Sequence, residues 1–94
     1  MKWETAINSF KSYLKIERGL SDNSIVSYEK DILKLSNFIL SKNNSVSPLK
    51  VSPDLIKEFI YSISKSISSS SQSRIISGLR SFFEYLIFEK YISN

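Results

Sequence analysis

The chain has 94 residues, 41% of them hydrophobic and 23% charged, which suits one small domain built around a single core. The lack of cysteine removes disulfides, thiolate nucleophiles and cysteine-based zinc sites, and the lack of histidine removes the commonest general base and metal ligand. Thirteen basic residues against nine acidic ones leave a net charge of +4, which suits a nucleic-acid partner and equally suits ordinary solubility.

Two glycines, two prolines and no alternating pattern leave helical spacing as the dominant signal, in four blocks. Trp3, Ile7, Phe10 and Leu14 form one stripe of a first helix, expected to close near Arg18 and Gly19, where glycine can turn left-handed. Ser21 or Asp22 offers an N-cap for a second helix reaching Leu40 to Lys42. At about 100° per residue, Ile25, Tyr28, Ile32, Leu35 and Ile39 gather on one face, with Asn23, Ser27, Lys30, Lys34 and Asn37 opposite. Val26, Leu33 and Leu40 make a flanking apolar row, which implies a second neighbour for this helix. Phe38 falls nearer the polar side and has no evident place.

Ser41 to Ser52, polar and containing Pro48, reads as the longest loop. Ser52-Pro53-Asp54 is a strong helix start: a capping serine, proline at the first helical position, and an acid at the positive helix end. Leu55, Ile56, Phe59, Ile60 and Ile63 supply the apolar stripe of this third helix. Ser64 to Ser69 reads as a flexible, serine-rich connector. A fourth helix is expected to open around Ser71 and Gln72 and to run to about Tyr91. It has Ile75, Ile76, Leu79, Phe82, Phe83, Leu86, Ile87 and Lys90 on one side. Ser73, Arg74, Ser77, Arg80, Ser81 and Glu84 occupy the other side, and Gly78 in mid-helix implies a close helix contact. The expected architecture is one all-α, compact four-helix domain over residues 1–94, orthogonal or bundle-like.

Chemistry for catalysis is sparse. The nine carboxylates are expected on helix surfaces, with Glu4, Glu17, Glu29 and Glu58 solvated and Asp54 at a helix start. No glycine-rich phosphate loop occurs, no tyrosine has a base beside it, and neither metal nor cofactor is expected. No run is long and apolar enough to cross a membrane, and Met1 to Phe10 lacks the apolar centre of a signal peptide, so a cytoplasmic location is expected.

The basic residues are better organised. Helix 2 presents Asn23, Ser27, Lys30 and Lys34 as one stripe, and helix 4 presents Gln72, Ser73, Arg74, Ser77 and Arg80. Small hydroxyls let a backbone approach phosphates, and helix starts at Asn23–Ser24 and Ser71–Gln72 add N–H donors and a positive dipole end. The same stripes also describe plain solvated faces, and composition does not separate the two.

Two longer words carry more information. Residues 12–38 read SYLKIERGLSDNSIVSYEKDILKLSNF, and residues 68–94 read SSSSQSRIISGLRSFFEYLIFEKYISN. In this order and spacing they resemble the N-terminal core-binding, SAM-like domain of tyrosine recombinases of the Xer type and related phage integrases. The resemblance covers nearly the whole chain. It implies a DNA-binding clamp that grips duplex DNA while a C-terminal catalytic domain in the parent chain, absent here, cuts and rejoins it. It also implies a recombinase tetramer on DNA, with the isolated domain a monomer. In the family the second and fourth helices lie against DNA. Matched residue by residue, this implies roles for Asn23, Ser24, Ser27, Tyr28, Lys30 and Lys34, and for Ser71, Gln72, Arg74, Ser77 and Arg80. Lys30, Lys34 and the helix-start serines are expected on phosphates, and Gln72, Arg74 and Arg80 at base edges. Trp3 is expected in the core, with a contact between protomers as the other possibility. The competing reading is a helical protein-interaction module that docks a partner through exposed apolar residues such as Phe38 or Tyr91.

Overall fold

Serine hydroxyls set where three of the four helices begin. In the computed structural model, which describes residues 1–42 and 46–93, α1 spans Trp3–Ile16, α2 Asp22–Ser41, α3 Pro53–Ser64 and α4 Ser69–Phe88. Ser21 Oγ accepts from the Ser24 N–H at 3.3 Å, Ser52 Oγ from the Leu55 N–H at 3.2 Å, and Ser68 Oγ from the Ser71 N–H at 3.2 Å. Each such cap is worth about 1 kcal/mol against alanine.

The ends differ from expectation in instructive ways. α1 stops at Ile16, two residues before the expected close, and Gly19 takes the left-handed conformation with φ 61°. The Leu20 N–H then returns to the Leu14 carbonyl at 3.0 Å. α4 starts at Ser69 rather than near Ser71, so the serine run is mostly helix and the connector shrinks to residues 65–68. Ile67 packs against the core at this corner. α4 ends at Phe88 rather than Tyr91, because Lys90 turns left-handed with φ 64°. The Lys90 N–H meets the Ile87 carbonyl and the Tyr91 N–H meets the Leu86 carbonyl, each at 2.9 Å. That pairing is a Schellman close carried by a lysine where glycine is usual.

The described part of the loop before α3 is not simply polar. Residues Pro48–Lys50 form a 3-10 turn with Pro48 buried, and Val46, Leu49 and Val51 pack on the core. Asn43, Asn44 and Ser45 of that predicted loop, and Asn94, lie outside the described residues.

The core is aromatic at its centre. The Phe10 ring meets Phe82 at 5.4 Å, Tyr85 at 5.5 Å and Tyr28 at 6.1 Å, which links α1, α2 and α4 through one side chain. Ile25, Ile32, Leu35 and Ile39 of α2 and Ile75, Leu79 and Leu86 of α4 close round it. Trp3 is partly buried and packs against the core: it stacks on Phe82 at 6.1 Å, and its Nε1–H donates to the Val46 carbonyl at 2.9 Å. Phe38 finds its place against α3, with its ring 5.5 Å from that of the buried Phe59. Only Phe59 of the predicted α3 stripe is fully buried; Leu55, Ile56, Ile60 and Ile63 are half-buried.

Two sequence expectations fail here. The row of Val26, Leu33 and Leu40 is exposed, since the three helices that neighbour α2 all lie on its other side. Of the apolar side predicted for the fourth helix, Ile87 is likewise exposed, as is Lys90 beyond the end of α4, and Tyr85 is buried instead. None of the helices is long and apolar enough to cross a membrane among the described residues.

Candidate nucleic-acid interface

The seam between α2 and α4 contains a charge in an unexpected place. Asp31 has 0% exposure, against the expectation that all carboxylates lie on helix surfaces. Its position was readable: it stands three residues after Tyr28 and four before Leu35, on the edge of the apolar arc of α2. Its Oδ1 accepts from Arg74 Nη2 of α4 at 2.5 Å, while Oδ2 is buried with no hydrogen-bond partner among the described residues. Burial pushes the Asp31 carboxyl above its ordinary value, opposed by the hydrogen bond and charge of Arg74 and by the charge of Lys34.

Gly78 is the other half of this arrangement. A Cβ there would run into the Asp31 carboxylate, with Cγ at 3.1 Å and the Asp31 Cβ at 3.2 Å. The missing side chain lets α4 approach α2 closely enough to cover Asp31. The mid-helix glycine is thus explained by helix packing, as its position in the sequence implied.

Around the seam the sequence-predicted residues sort into groups. On α2, Ser27, Lys30 and Lys34 lie just beyond Asp31 on the solvent side, within roughly 100° of it, and all three are exposed. Asn23 continues the same stripe toward the helix start and is exposed. On α4, Ser77 and Arg74 flank Gly78 on the side nearest α2, and both are exposed, with the Arg74 side chain at 54%. The Asp31–Arg74 pair thus brings one basic residue of α4 to the edge of the α2 stripe.

Other predicted residues stand away from that seam. Gln72, two positions before Arg74, points to the opposite flank of α4, about 160° away, and is half-buried. Arg80 is exposed on the outer face, about 120° round from Arg74. Tyr28 is half-buried with its ring edge-on to Phe10. Ser24 and Ser71 belong to caps, their Oγ atoms accepting from Ser21 and Ser68 at 3.1 Å each. Because α4 begins earlier than expected, the Ser71 and Gln72 N–H groups are occupied by the Ser68 hydroxyl and carbonyl. The uncommitted start of α4 therefore moves back to Ser69 and Ser70.

Electrostatics sharpen the face. Asp22 pairs with Lys15 at 3.1 Å, Glu29 with Lys11 at 3.2 Å, and Asp31 with Arg74, so every acid of α2 has a cation from α1 or α4. Glu58 pairs with Lys42 at 3.3 Å rather than standing free. Among the described residues, Lys30, Lys34 and Arg80 belong to no ion pair. Part of the uncompensated positive charge thus lies on the outer side of α2 and α4, while Lys2, Arg18, Lys50, Lys57, Lys65 and Lys90, also in no ion pair among the described residues, spread the rest over other elements. Tyr85, deepest of the tyrosines, has its hydroxyl pKa pushed up chiefly by burial, the reverse of what an activated nucleophile needs.

A second surface feature lies across the molecule. An open apolar groove runs between the 3-10 turn, the start of α3 and the end of α4, lined by Val51, Ile56, Phe83, Ile87, Tyr91 and Ile92.

Comparison with known proteins identifies the family. The family model described as phage integrase, N-terminal SAM-like domain, matches residues 7–90. The chain is 37% identical over 92 residues to tyrosine recombinase XerD of Oceanobacillus iheyensis, covering 97% of this chain and 31% of the relative. It is 35% identical over 86 residues to XerD of Rickettsia bellii, covering 90% and 28%. It is 32% identical over 80 residues to tyrosine recombinase XerC of Herpetosiphon aurantiacus, covering 85% and 26%. The chain thus spans less than a third of the length of these curated relatives. No solved structure matches it significantly.

Proposed function

The chain belongs to the family of phage integrase N-terminal SAM-like domains, and from that premise we propose that it is the DNA-gripping domain of a site-specific tyrosine recombinase. The observation that carries this reading is the α2–α4 seam. Lys30, Lys34, Arg74 and Ser77 are exposed around it, Asp22 and Glu29 of α2 are neutralised by lysines of α1, and Asp31 is neutralised by Arg74 itself. Lys30 and Lys34 hold phosphates. Ser27 and Ser77, being short, let the helices approach the sugar-phosphate backbone. Arg74 keeps N–H donors beyond the one given to Asp31 and serves a base edge or a phosphate. Arg80 extends the positive face outward, and the N–H groups at the starts of α2 and α4 add donors at its rim.

In this reading the chemistry of strand cutting belongs to a catalytic domain C-terminal in the parent protein. The domain acts within a tetramer assembled on DNA and is a monomer when free. Four phosphate contacts correspond to a slope near about −3.6 in log K against log salt, or roughly a hundredfold loss of affinity between 50 and 200 mM. Fluorescence anisotropy of a labelled duplex, titrated at several salt concentrations, measures this. The variant K34A/R74A/R80A is expected to lose most of both affinity and slope. Binding equal to that of the native chain would remove the proposed face.

A second reading is favoured by the apolar groove, where Ile87 and Tyr91 are each more than two-fifths exposed. A protein-interaction module would dock a partner there. Phe38, which was expected to take part, is instead covered by α3.

A further inference from the structure

We infer that Asp31 is a positioning residue of the DNA-facing surface, anchoring the Arg74 guanidinium in the α2–α4 seam before DNA arrives. This rests on the DNA reading above and deepens it. Asp31 itself has no access to a ligand, being fully buried, yet its only polar partner among the described residues is a side chain that remains 54% exposed. A pair serving cohesion alone would be expected to use both carboxylate oxygens, because each buried lone pair left empty is unfavourable. Here Oδ2 is left without a partner, held against Gly78, while Oδ1 takes one nitrogen of a fork that has five N–H donors.

The consequence is mechanical. Arginine is a long side chain with many rotamers, and freezing such a chain at an interface weakens binding by a factor of about 2 to 12. With Nη2 fixed to Asp31, much of that freezing is complete in the free protein. The remaining donors are displayed beside Lys34, whose charge acts on the same carboxylate. Gly78 is part of the device, since no other residue would let α4 close over Asp31.

Electrostatics alone would imply the opposite behaviour. Asp31→Asn raises the net charge by one and on charge grounds should tighten DNA binding. Positioning implies weaker binding, by about three- to tenfold, because a neutral amide holds the guanidinium less firmly. The test is a binding cycle on the 94-residue chain with a labelled duplex at low salt, comparing native, D31N, R74A and D31N/R74A. Thermal melts establish that each variant is folded. The expected result is a three- to tenfold loss for D31N in the native background and none, or a slight gain, in the R74A background. In the absence of DNA, the Arg74 side-chain N–H resonances of the native protein should report restricted motion that D31N releases. Equal or tighter binding by D31N, an equal loss in both backgrounds, or a mobile Arg74 in the native protein overturns the inference while leaving the DNA face standing. Failure of the native chain to bind duplex DNA at all overturns that face and this inference together.

Discussion

Gly78→Ala is the substitution whose outcome depends most directly on the packing described here. In an exposed helix interior, alanine for glycine should stabilise by about 1 kcal/mol. In this helix the new methyl group meets the Asp31 carboxylate, and the Cγ and Cβ atoms behind it stand at 3.1 and 3.2 Å. The obstruction is not the free end of a flexible chain, so either α4 must shift away from α2 or Asp31 must swing out and release Arg74. Overpacking of this kind costs about 1–3 kcal/mol, and breaking a buried ion pair about 3–5. The cheaper route sets the outcome. After the propensity gain of about 1 kcal/mol is subtracted, the variant should be less stable by about 0–2 kcal/mol. For a domain of this size that lowers the melting temperature by up to roughly 15 °C. The decisive arm is the Asp31→Ala background, where the carboxylate is gone and only the Cβ contact at 3.2 Å remains, so Gly78→Ala should recover most of its gain of about 1 kcal/mol. Urea and thermal unfolding of the four proteins supply the numbers. Stabilisation by Gly78→Ala in the native background would refute the close α2–α4 approach.

Other consequences follow from the same contacts. Lys90→Gly should stabilise by about 1 kcal/mol, since it removes a left-handed lysine from the close of α4; a fall in melting temperature would contradict that conformation. Trp3→Phe keeps an aromatic ring over Phe82 but leaves the Val46 carbonyl without its donor, and should destabilise by about 1 kcal/mol in urea unfolding. Asp31 should also leave a pH signature. Because burial raises its pKa above 3.8, the folded state holds that proton more tightly than the unfolded chain. The associated stability is fully present below about pH 3.8 and is lost as pH rises through the folded value. Relative to Asp31→Asn, which has no charge to bury, the native chain should therefore lose ground between pH 3 and 7. A constant difference across that range would show that burial does not perturb the group. Arg74→Ala removes the main opposing influence, so it should push the carboxyl pKa higher still.

Local signals in the chain were legible, and signals that depend on distant partners were not. Ser52-Pro53-Asp54 and Gly19 announce a helix start and a helix end through short-range chemistry, and the structure uses them in those roles. The serine run was ambiguous for a physical reason. Several successive hydroxyls can cap a helix equally well, and the choice of Ser68 accompanies the packing of Ile67 on the core. Val26, Leu33 and Leu40 show the limit of periodicity, which finds an apolar row but not whether another helix covers it. Asp31 shows the same limit from the polar side. Its place on the apolar arc of α2 was visible, but the arginine and glycine that make burial tolerable lie 43 and 47 residues away. Of the candidate site, the lysines and serines of α2 and Arg74 and Ser77 of α4 were placed together by simple helix geometry. Gln72 was misgrouped because sequence adjacency to Arg74 puts it on the opposite flank.

The most direct measurement is a residue-resolved NMR titration of the 15N-labelled chain with a duplex oligonucleotide at low salt. Shifts concentrated at Ser27, Lys30, Lys34, Arg74 and Ser77, fading as salt is added, are the expected outcome. Perturbations gathered instead around Ile56, Phe83 and Tyr91, or none on the outer side of α2 and α4, would contradict the assignment of that face to DNA.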